Sequence, residues 1–233
     1  MSRCSKIWAP VVGEHVASAI RVVASGVTRR FGASWVLRGV DAIFEPGTVT
    51  VVEGANGAGK STLLGIIAGL IRPTAGEVTW DPSGKRVGEQ RWFVGWVGHD
   101  SLSYRELTAR ENVVLAGRLC GLRAEVVEQS LDRVGARAFA DKRVGLLSRG
   151  QRQRVALARG IVHSPRLLLL DEPFTGLDSA GCMLLEKVIG EERNRGAIIV
   201  LVSHDASLAT RLGAARATLE RGKLKITGPR PSV

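Results

Sequence analysis

The sequence predicts an α/β fold, with a mostly parallel sheet covered by helices on both faces and an antiparallel β portion beside it. Two continuously apolar runs, "LLLL" and "AIIVLVS", and the short β-branched run "VTVVEG" have the length of buried strands and alternate with segments of helical character. Near the amino end, "IRVVA" (residues 20–24) and "WVLRGVDAIF" (35–44) alternate apolar and polar residues, as half-buried antiparallel strands do.

Turns, a further strand and an apolar helix are also predicted in the first half of the chain. "EPGTV" predicts a turn, and "KSTLLGIIAGL", residues 60–70, predicts a helix that Pro73 stops. "PTAGEVTWDPSGK" predicts a turn, a strand and a second turn. A helix-rich stretch follows from about Thr108 to Arg159, and Glu111 completes a capping box with Thr108 at its start.

In the second half, "SAGCMLLEKVIGEERNRG" predicts a helix between the last two buried strands. We expect one domain at residues 18–228, with a helical subdomain at about residues 100–155. Residues 1–17 and 229–233 are predicted to be loose ends.

Composition restricts the class of protein. None of the apolar runs in the 233 residues reaches the roughly 18 residues that a membrane-spanning helix needs. The amino end lacks the apolar core of a secretory signal, and the three cysteines have no disulfide or metal-ligand spacing. We therefore expect a soluble protein of the cytoplasm. The formal charge of +11 would suit a polyanionic partner, but the basic residues are dispersed, so most are expected to be solvated.

A glycine-rich loop, "VVEGANGAGKST", lies between the first buried strand and the apolar helix. It fits the G-x-x-x-x-G-K-[ST] pattern, in which backbone N–H groups and the helix N-terminus converge on phosphate oxygens. Lys60 adds a charge worth about 4 kcal/mol against a phosphate charge at ~4 Å and an effective dielectric near 20. Ser61 offers a hydroxyl to Mg²⁺. The residues predicted to surround the nucleotide here are Gly54, Asn56, Gly57, Gly59, Lys60, Ser61 and Thr62.

Two acids follow the second buried strand directly, in "LLLLDE". Asp171 is predicted to reach the Mg²⁺ shell, and Glu172 to act as the general base that activates the attacking water. The alternative is that both acids merely cap the strand end. Because the chain already contains a phosphate loop, the hydrolytic interpretation is favoured.

The stretch "LLSRGQRQRVALARGIVHSPRLLLLDEPFTGLD" resembles the nucleotide-binding subunits of ATP-binding cassette (ABC) transporters. Its "LSRGQ" looks like their LSGGQ signature, with Arg149 in the variable place, and "GLD", ending at Asp178, matches their D-loop. His204, after the last buried strand, matches the switch histidine. The resemblance covers roughly residues 18–228 and implies a P-loop NTPase (RecA-like) core with an antiparallel β subdomain and a helical signature subdomain.

The resemblance also implies a mechanism. Two copies meet head to tail as a homodimer and enclose two ATP molecules with Mg²⁺, each covered by the partner's signature, Ser148, Gly150 and Gln151 here. His204 is implied to contact the γ-phosphate and to hold Glu172 in register, the alternative being an ordinary surface histidine.

The family resemblance also implies roles for one aromatic residue and one histidine. Phe31, in "RRFG", lies where the family stacks an aromatic residue on adenine, and a core phenylalanine is the competing interpretation. His99 stands where the family's Q-loop carries a glutamine that touches Mg²⁺ and relays the nucleotide state to the membrane partner. We expect His99 to contact the γ-phosphate or a metal-bound water in place of that glutamine.

"GHD" followed by "LTAREN" is similar to the haem-exporter ATPase subunits of cytochrome c maturation. This implies an ATPase on the cytoplasmic face of the membrane, bound to integral membrane permease subunits. Two alternatives stay open: an exporter of a drug, lipid or polysaccharide, and a soluble cassette ATPase acting on nucleic acid or ribosomes. The chain has neither the paired cassettes nor the long coiled-coil insertion usual in the last class, so no nucleic-acid partner is expected.

Overall fold

The computed structural model describes residues 20–98 and 102–228. The predicted loose ends at residues 1–17 and 229–233, and the Q-loop position His99, lie outside these ranges. Within them, none of the helices has the length and apolar character needed to cross a bilayer.

The described chain contains ten strands and six α-helices. The strands are β1 (Arg21–Phe31), β2 (Ser34–Phe44), β3 (Val49–Glu53), β4 (Ala75–Asp81), β5 (Lys85–Arg86), β6 (Val94–Val97), β7 (Leu167–Asp171), β8 (Ile198–Val202), β9 (Ala215–Glu220) and β10 (Lys223–Thr227). The helices are α1 (Lys60–Ile67), α2 (Ala109–Leu119), α3 (Ala124–Arg133), α4 (Arg149–Ile161), α5 (Ser179–Asn194) and α6 (Leu208–Leu212).

A six-stranded sheet forms the centre, in the order β10-β9-β3-β8-β7-β6. The pairs from β9 to β6 are parallel, and only the β9–β10 pair is antiparallel. Both faces are covered, because alternate side chains of one strand enter different cores: Leu168 and Leu170 pack with α4, whereas Leu167 and Leu169 pack with α1. Every residue of β7 and β8 is buried, which explains their uninterrupted apolar sequences.

The predicted antiparallel portion is a second sheet, in the order β2-β1-β4-β5. Its inner face packs Leu37, Phe44 and Trp80 against α1. The amide of Arg38 in β2 donates to the carbonyl of Gly222 at 2.8 Å, which joins this sheet to the β9–β10 turn. The antiparallel sheet therefore reaches the edge where the glycine-rich loop begins.

The helical stretch begins as predicted, with a complete capping box between Thr108 and Glu111 at the start of α2. It is tied to the central body by Arg133 of α3, which donates to Glu191 at 2.8 Å and Glu192 at 2.7 Å in α5. Glu192 is fully buried, so its charge depends on this arginine and on Arg195.

Several boundaries differ from the sequence-based expectation. Helix α1 ends at Ile67 rather than at residue 70, because Gly69 takes a left-handed φ of 69° that terminates the helix. Strand β1 continues to Phe31 through a register shift near Gly26. Strands β6, β9 and β10 and helix α6 were not predicted, because each has only four to six residues and lacks a continuous apolar run.

Candidate nucleotide-binding site

The glycine-rich loop joins the carboxyl end of β3 to the start of α1. Gly54 has a φ of 151° and Gly59 a φ of 101°, values that favour glycine. A Cβ atom on Gly54 would lie 2.5 Å from the carbonyl oxygen of Leu219, and one on Gly59 would lie 2.5 Å from Cγ1 of Val36. The loop is therefore pressed against β9 and β2, and its remaining surface, including Asn56 and Gly57, is exposed.

Lys60 is the first residue of α1 and is only 7% exposed. Its Nζ atom donates to the carbonyl oxygens of Gly54 at 2.9 Å and Ala55 at 3.0 Å, so the ammonium group lies across the loop. Ser61 and Thr62 follow in the same helical turn, which has no acidic residue. Ammonium, helix N-terminus and backbone N–H groups together make this a site for a polyphosphate anion.

The two acids lie at the same edge of the sheet as the loop. Asp171 ends β7, and parallel pairing aligns Asp171 with Val202 of β8 and Val202 with Val52 of β3. Two strand spacings therefore separate Asp171 from β3, about 10 Å. Oδ1 of Asp171 is buried without a hydrogen-bond donor among the described residues. This orphaned oxygen, with the hydroxyl of Ser61, matches the hard oxygen ligands that Mg²⁺ prefers.

Glu172 is held in an uncommon backbone conformation, with a φ of 53°. Its amide donates to the carbonyl of Val202 at 3.2 Å, which fixes the residue to the end of β8. A left-handed glutamate costs free energy on the order of 1–3 kcal/mol, and such residues cluster at functional sites. The side chain is 17% exposed and therefore reachable by water.

His204 lies two residues beyond the end of β8, with Nε2 at 2.9 Å from Oε1 of Glu172. The two groups are within ion-pair distance but are not aligned as a hydrogen bond. The histidine is 52% exposed, yet its ring meets a specific carboxylate, which an ordinary surface histidine need not do. The neighbouring Asp205 has its pKa lowered to about 2, chiefly by hydrogen bonds from Ser207 and Arg211.

Phe31 is 47% exposed at the end of β1, so it is not the core phenylalanine that was the competing interpretation. The guanidinium of Arg29 stacks on its ring at 4.2 Å. Phe31 pairs with Ser34 across the β1–β2 hairpin, and Val36, further along β2, lies next to Gly59. The exposed ring is therefore at the hairpin end of the strand pair that also reaches the glycine-rich loop, with one of its faces covered by Arg29.

The signature residues form the start of α4. Ser148 is the N-cap of this helix, and its capping box with Gln151 is complete at 3.3 and 3.0 Å. Gly150 lies near Leu177, and a Cβ atom there would be 3.7 Å from Cδ2 of that leucine. Asp178 caps α5, its Oδ1 accepting from the amide of Gly181 at 2.7 Å. The signature and the D-loop therefore contact each other within one copy.

The structure brings the glycine-rich loop, Asp171, Glu172 and His204 to one edge of the sheet. The signature lies elsewhere, because α4 packs into the core on one face of the sheet and α1 packs into the core on the other. Two residues at the loop were not singled out in the sequence: Glu53, just before Gly54, and Arg216 in β9 form an ion pair at 3.1 Å. Their spacing of more than 160 residues left no sequence signal.

Comparison with known proteins gives consistent matches. The family model described as "ABC transporter" matches residues 37–175. The chain is 40% identical over 200 residues, covering 85% of it and 67% of the relative, to the aliphatic sulfonates import ATP-binding protein SsuB 2 of Xanthomonas axonopodis pv. citri. It is 36% identical over 192 residues, covering 82% of it and 94% of the relative, to the cytochrome c biogenesis ATP-binding export protein CcmA of Hyphomonas neptunium. The solved dimeric structure of MJ0796, a bacterial ABC transporter cassette, matches with a TM-score of 0.80 at 27% identity, covering 91% of this chain and 100% of that one.

Proposed function

The chain belongs to the ABC transporter family as an ATP-hydrolysing subunit, and from this premise we propose that it drives a haem-related export step of cytochrome c biogenesis. The observation that carries the proposal is the match to an export protein of that process, which extends over 94% of the relative's length. The "GHD" and "LTAREN" segments support the same assignment. The import of aliphatic sulfonates is a second candidate, because the relative of that name is 40% identical.

We propose the following roles at the site. The loop from Gly54 to Thr62 holds the triphosphate, and the exposed ring of Phe31 stacks on adenine. Ser61 and Asp171 would hold Mg²⁺, which, when bound, neutralises charge on the phosphates. Glu172 accepts a proton from the attacking water, and His204, 2.9 Å away, keeps its carboxylate oriented.

The second half of each site is proposed to come from another copy of the chain. The signature lies on the opposite face of the sheet from α1, which supports the inference that it meets a nucleotide outside its own subunit. The similarity to a cassette solved as a dimer supports this arrangement. Ser148 and the first turn of α4 would then present donors to the partner's γ-phosphate.

Replacing Ser148 with aspartate is expected to abolish ATP-dependent dimerisation while leaving ATP binding by the monomer unchanged. Aspartate keeps the N-cap that serine provides, so α4 remains stable. Its charge, however, repels a γ-phosphate charge by about 4 kcal/mol at ~4 Å and an effective dielectric near 20. Light scattering with ATP measures the dimer, in a background in which Glu172→Gln prevents turnover.

Thr108→Asp is the matched control for this experiment, because Thr108 caps α2 with an equivalent capping box. The Thr108 variant is expected to dimerise like its parent. If the Ser148→Asp protein also dimerises normally with ATP, the proposed position of the signature is wrong.

A separate membrane permease is the proposed partner on the cytoplasmic face of the membrane. Val94, Trp96, Leu102 and the partly buried His163 line a groove of about 220 Å³ between β6, α2 and α4. Burial lowers the pKa of His163, so its imidazole is neutral at physiological pH. Gly98 and the exposed Leu102 both line the groove, and in the sequence they flank the segment expected to relay the nucleotide state.

Leu102→Asp is expected to release the chain from membranes of cells that also make the permease, because a carboxylate at an apolar contact must be desolvated. Met183→Asp, an equally exposed apolar position on α5, is the control and is expected to stay membrane-bound. Fractionation followed by detergent co-purification of a polytopic membrane protein measures the effect. Equal release of both variants would contradict docking at this groove.

The substrate class is tested in cells that lack the chain. Loss of haem-stained c-type cytochromes, restored by the wild-type chain but not by Glu172→Gln, is the expected result. Normal c-type cytochromes together with loss of growth on an aliphatic sulfonate as sole sulfur source would instead favour the import function.

A further inference from the structure

The ion pair of Glu53 and Arg216 lies directly beside the glycine-rich loop. Glu53 is the last residue of β3 and precedes Gly54, and Arg216 is the second residue of the adjacent parallel strand β9. The Nε atom of Arg216 is 3.1 Å from Oε1 of Glu53, whose side chain is only 20% exposed. That oxygen is buried and accepts no aligned hydrogen bond among the described residues, so the guanidinium meets it as an opposite charge at short range.

The same guanidinium has a second partner in the segment that carries His204. One of its terminal nitrogens donates to the carbonyl oxygen of Ala206 at 2.7 Å. Arg216 therefore joins the strand that enters the glycine-rich loop to the loop that follows β8. A planar guanidinium suits this task because its donors point in fixed, different directions, which a single ammonium group does not offer.

Before His204, the amide of Ser203 donates to the carbonyl oxygen of Val52 in β3 at 3.3 Å. After it, most of the other hydrogen bonds are local. The amide of Asp205 donates to the hydroxyl of Ser203 at 3.1 Å, and the Asp205 carboxylate accepts from Ser207 and Arg211. These bonds shape the turn and fasten it to α6. The bond from Arg216 to Ala206 holds the part of the turn that follows His204, whereas the bond from Ser203 to Val52 holds the part that precedes it.

We propose that Arg216, oriented by Glu53, is a positioning residue that sets the distance of His204 from Glu172. The inference rests on the role proposed for His204. The histidine ring is half-exposed, so packing around it does little to fix it, and its location follows that of its backbone. The 2.9 Å approach of Nε2 to Oε1 of Glu172 thus depends on the anchor at Ala206.

The expected effect of Arg216→Gln is a fall in kcat of about 10-fold, with the KM for ATP and the affinity for a fluorescent ATP analogue unchanged. Glu53→Gln is expected to act in the same direction, because it frees the guanidinium. Arg216→Lys is expected to recover part of the loss. Arg86→Gln is the control, since Arg86 forms an ion pair of similar length, 3.2 Å, with Glu77 in the antiparallel sheet.

The double variant that combines Arg216→Gln with His204→Ala tests whether Arg216 acts through the histidine. If it does, Arg216→Gln lowers kcat no further in the His204→Ala protein. The inference is overturned if kcat is unchanged in Arg216→Gln, if nucleotide affinity falls as much as kcat, or if the two losses multiply. Full activity of His204→Ala alone would instead reject the role proposed for His204, which separates the two failures. Thermal unfolding of each variant shows whether the fold is kept, and Glu53→Gln supplies the test should Arg216→Gln not fold.

Discussion

The Glu172→Gln protein is expected to bind ATP normally and to hydrolyse it about 10²–10⁴-fold more slowly than the unmodified chain. Glutamine has the shape of glutamate and can occupy the same strained backbone position, so the pocket is retained. Its amide, however, cannot accept a proton from water. Since two copies are proposed to pair around bound ATP, the variant is expected to accumulate as an ATP-bound dimer.

Single-turnover kinetics measure the rate of ATP hydrolysis, and light scattering measures the ATP-bound dimer. Glu77→Gln, the same change in the antiparallel sheet, is the control and should hydrolyse ATP at the normal rate. A normal rate in Glu172→Gln would show that another group activates the water. Slow hydrolysis with weakened ATP binding would show that Glu172 contributes to nucleotide binding rather than to the hydrolysis step.

The parts of the fold that could be predicted from the sequence are those that depend on interactions or burial within one short segment. Strands β7 and β8 are buried on both faces, and burial on both faces requires the continuous apolar runs seen in the sequence. The starts of α2 and α4 depend on capping bonds within four residues, and the first of these was predicted from Thr108 and Glu111. The glycine-rich loop is also local, since its N–H groups come from one short segment.

Features that depend on strand order could not be predicted in the same way. The contact of His204 with Glu172, which only the family resemblance implied, exists because β8 lies beside β7, and 32 residues separate the two side chains in the chain. The ion pair of Glu53 with Arg216 depends on β9 pairing with β3, although β9 carried no strand signal strong enough to be predicted. Sequence patterns indicate that strands exist, whereas the sheet order decides which side chains meet.

Lys60→Ala is expected to weaken ATP binding about 10³-fold. A charge pair at ~4 Å and an effective dielectric near 20 contributes about 4 kcal/mol, and every 1.4 kcal/mol corresponds to a factor of about 10 in affinity. The lysine is buried in the loop and its ammonium bonds two loop carbonyls, so its loss also leaves those carbonyls without a donor. Titration of a fluorescent ATP analogue with Mg²⁺ measures the affinity, and Lys85→Ala, an exposed lysine of β5, is the control.

A second variant, Lys60→Met, separates the charge of Lys60 from its packing. Methionine retains an unbranched stem in the buried position, so the loop keeps its contacts while the ammonium is lost. Equal weakening in Lys60→Met and Lys60→Ala would place the effect in the charge, and the affinity of either should then vary less with salt than that of the unmodified chain. If Lys60→Met binds ATP normally, the loop backbone and the start of α1 supply the affinity by themselves, and the electrostatic role assigned to Lys60 is wrong.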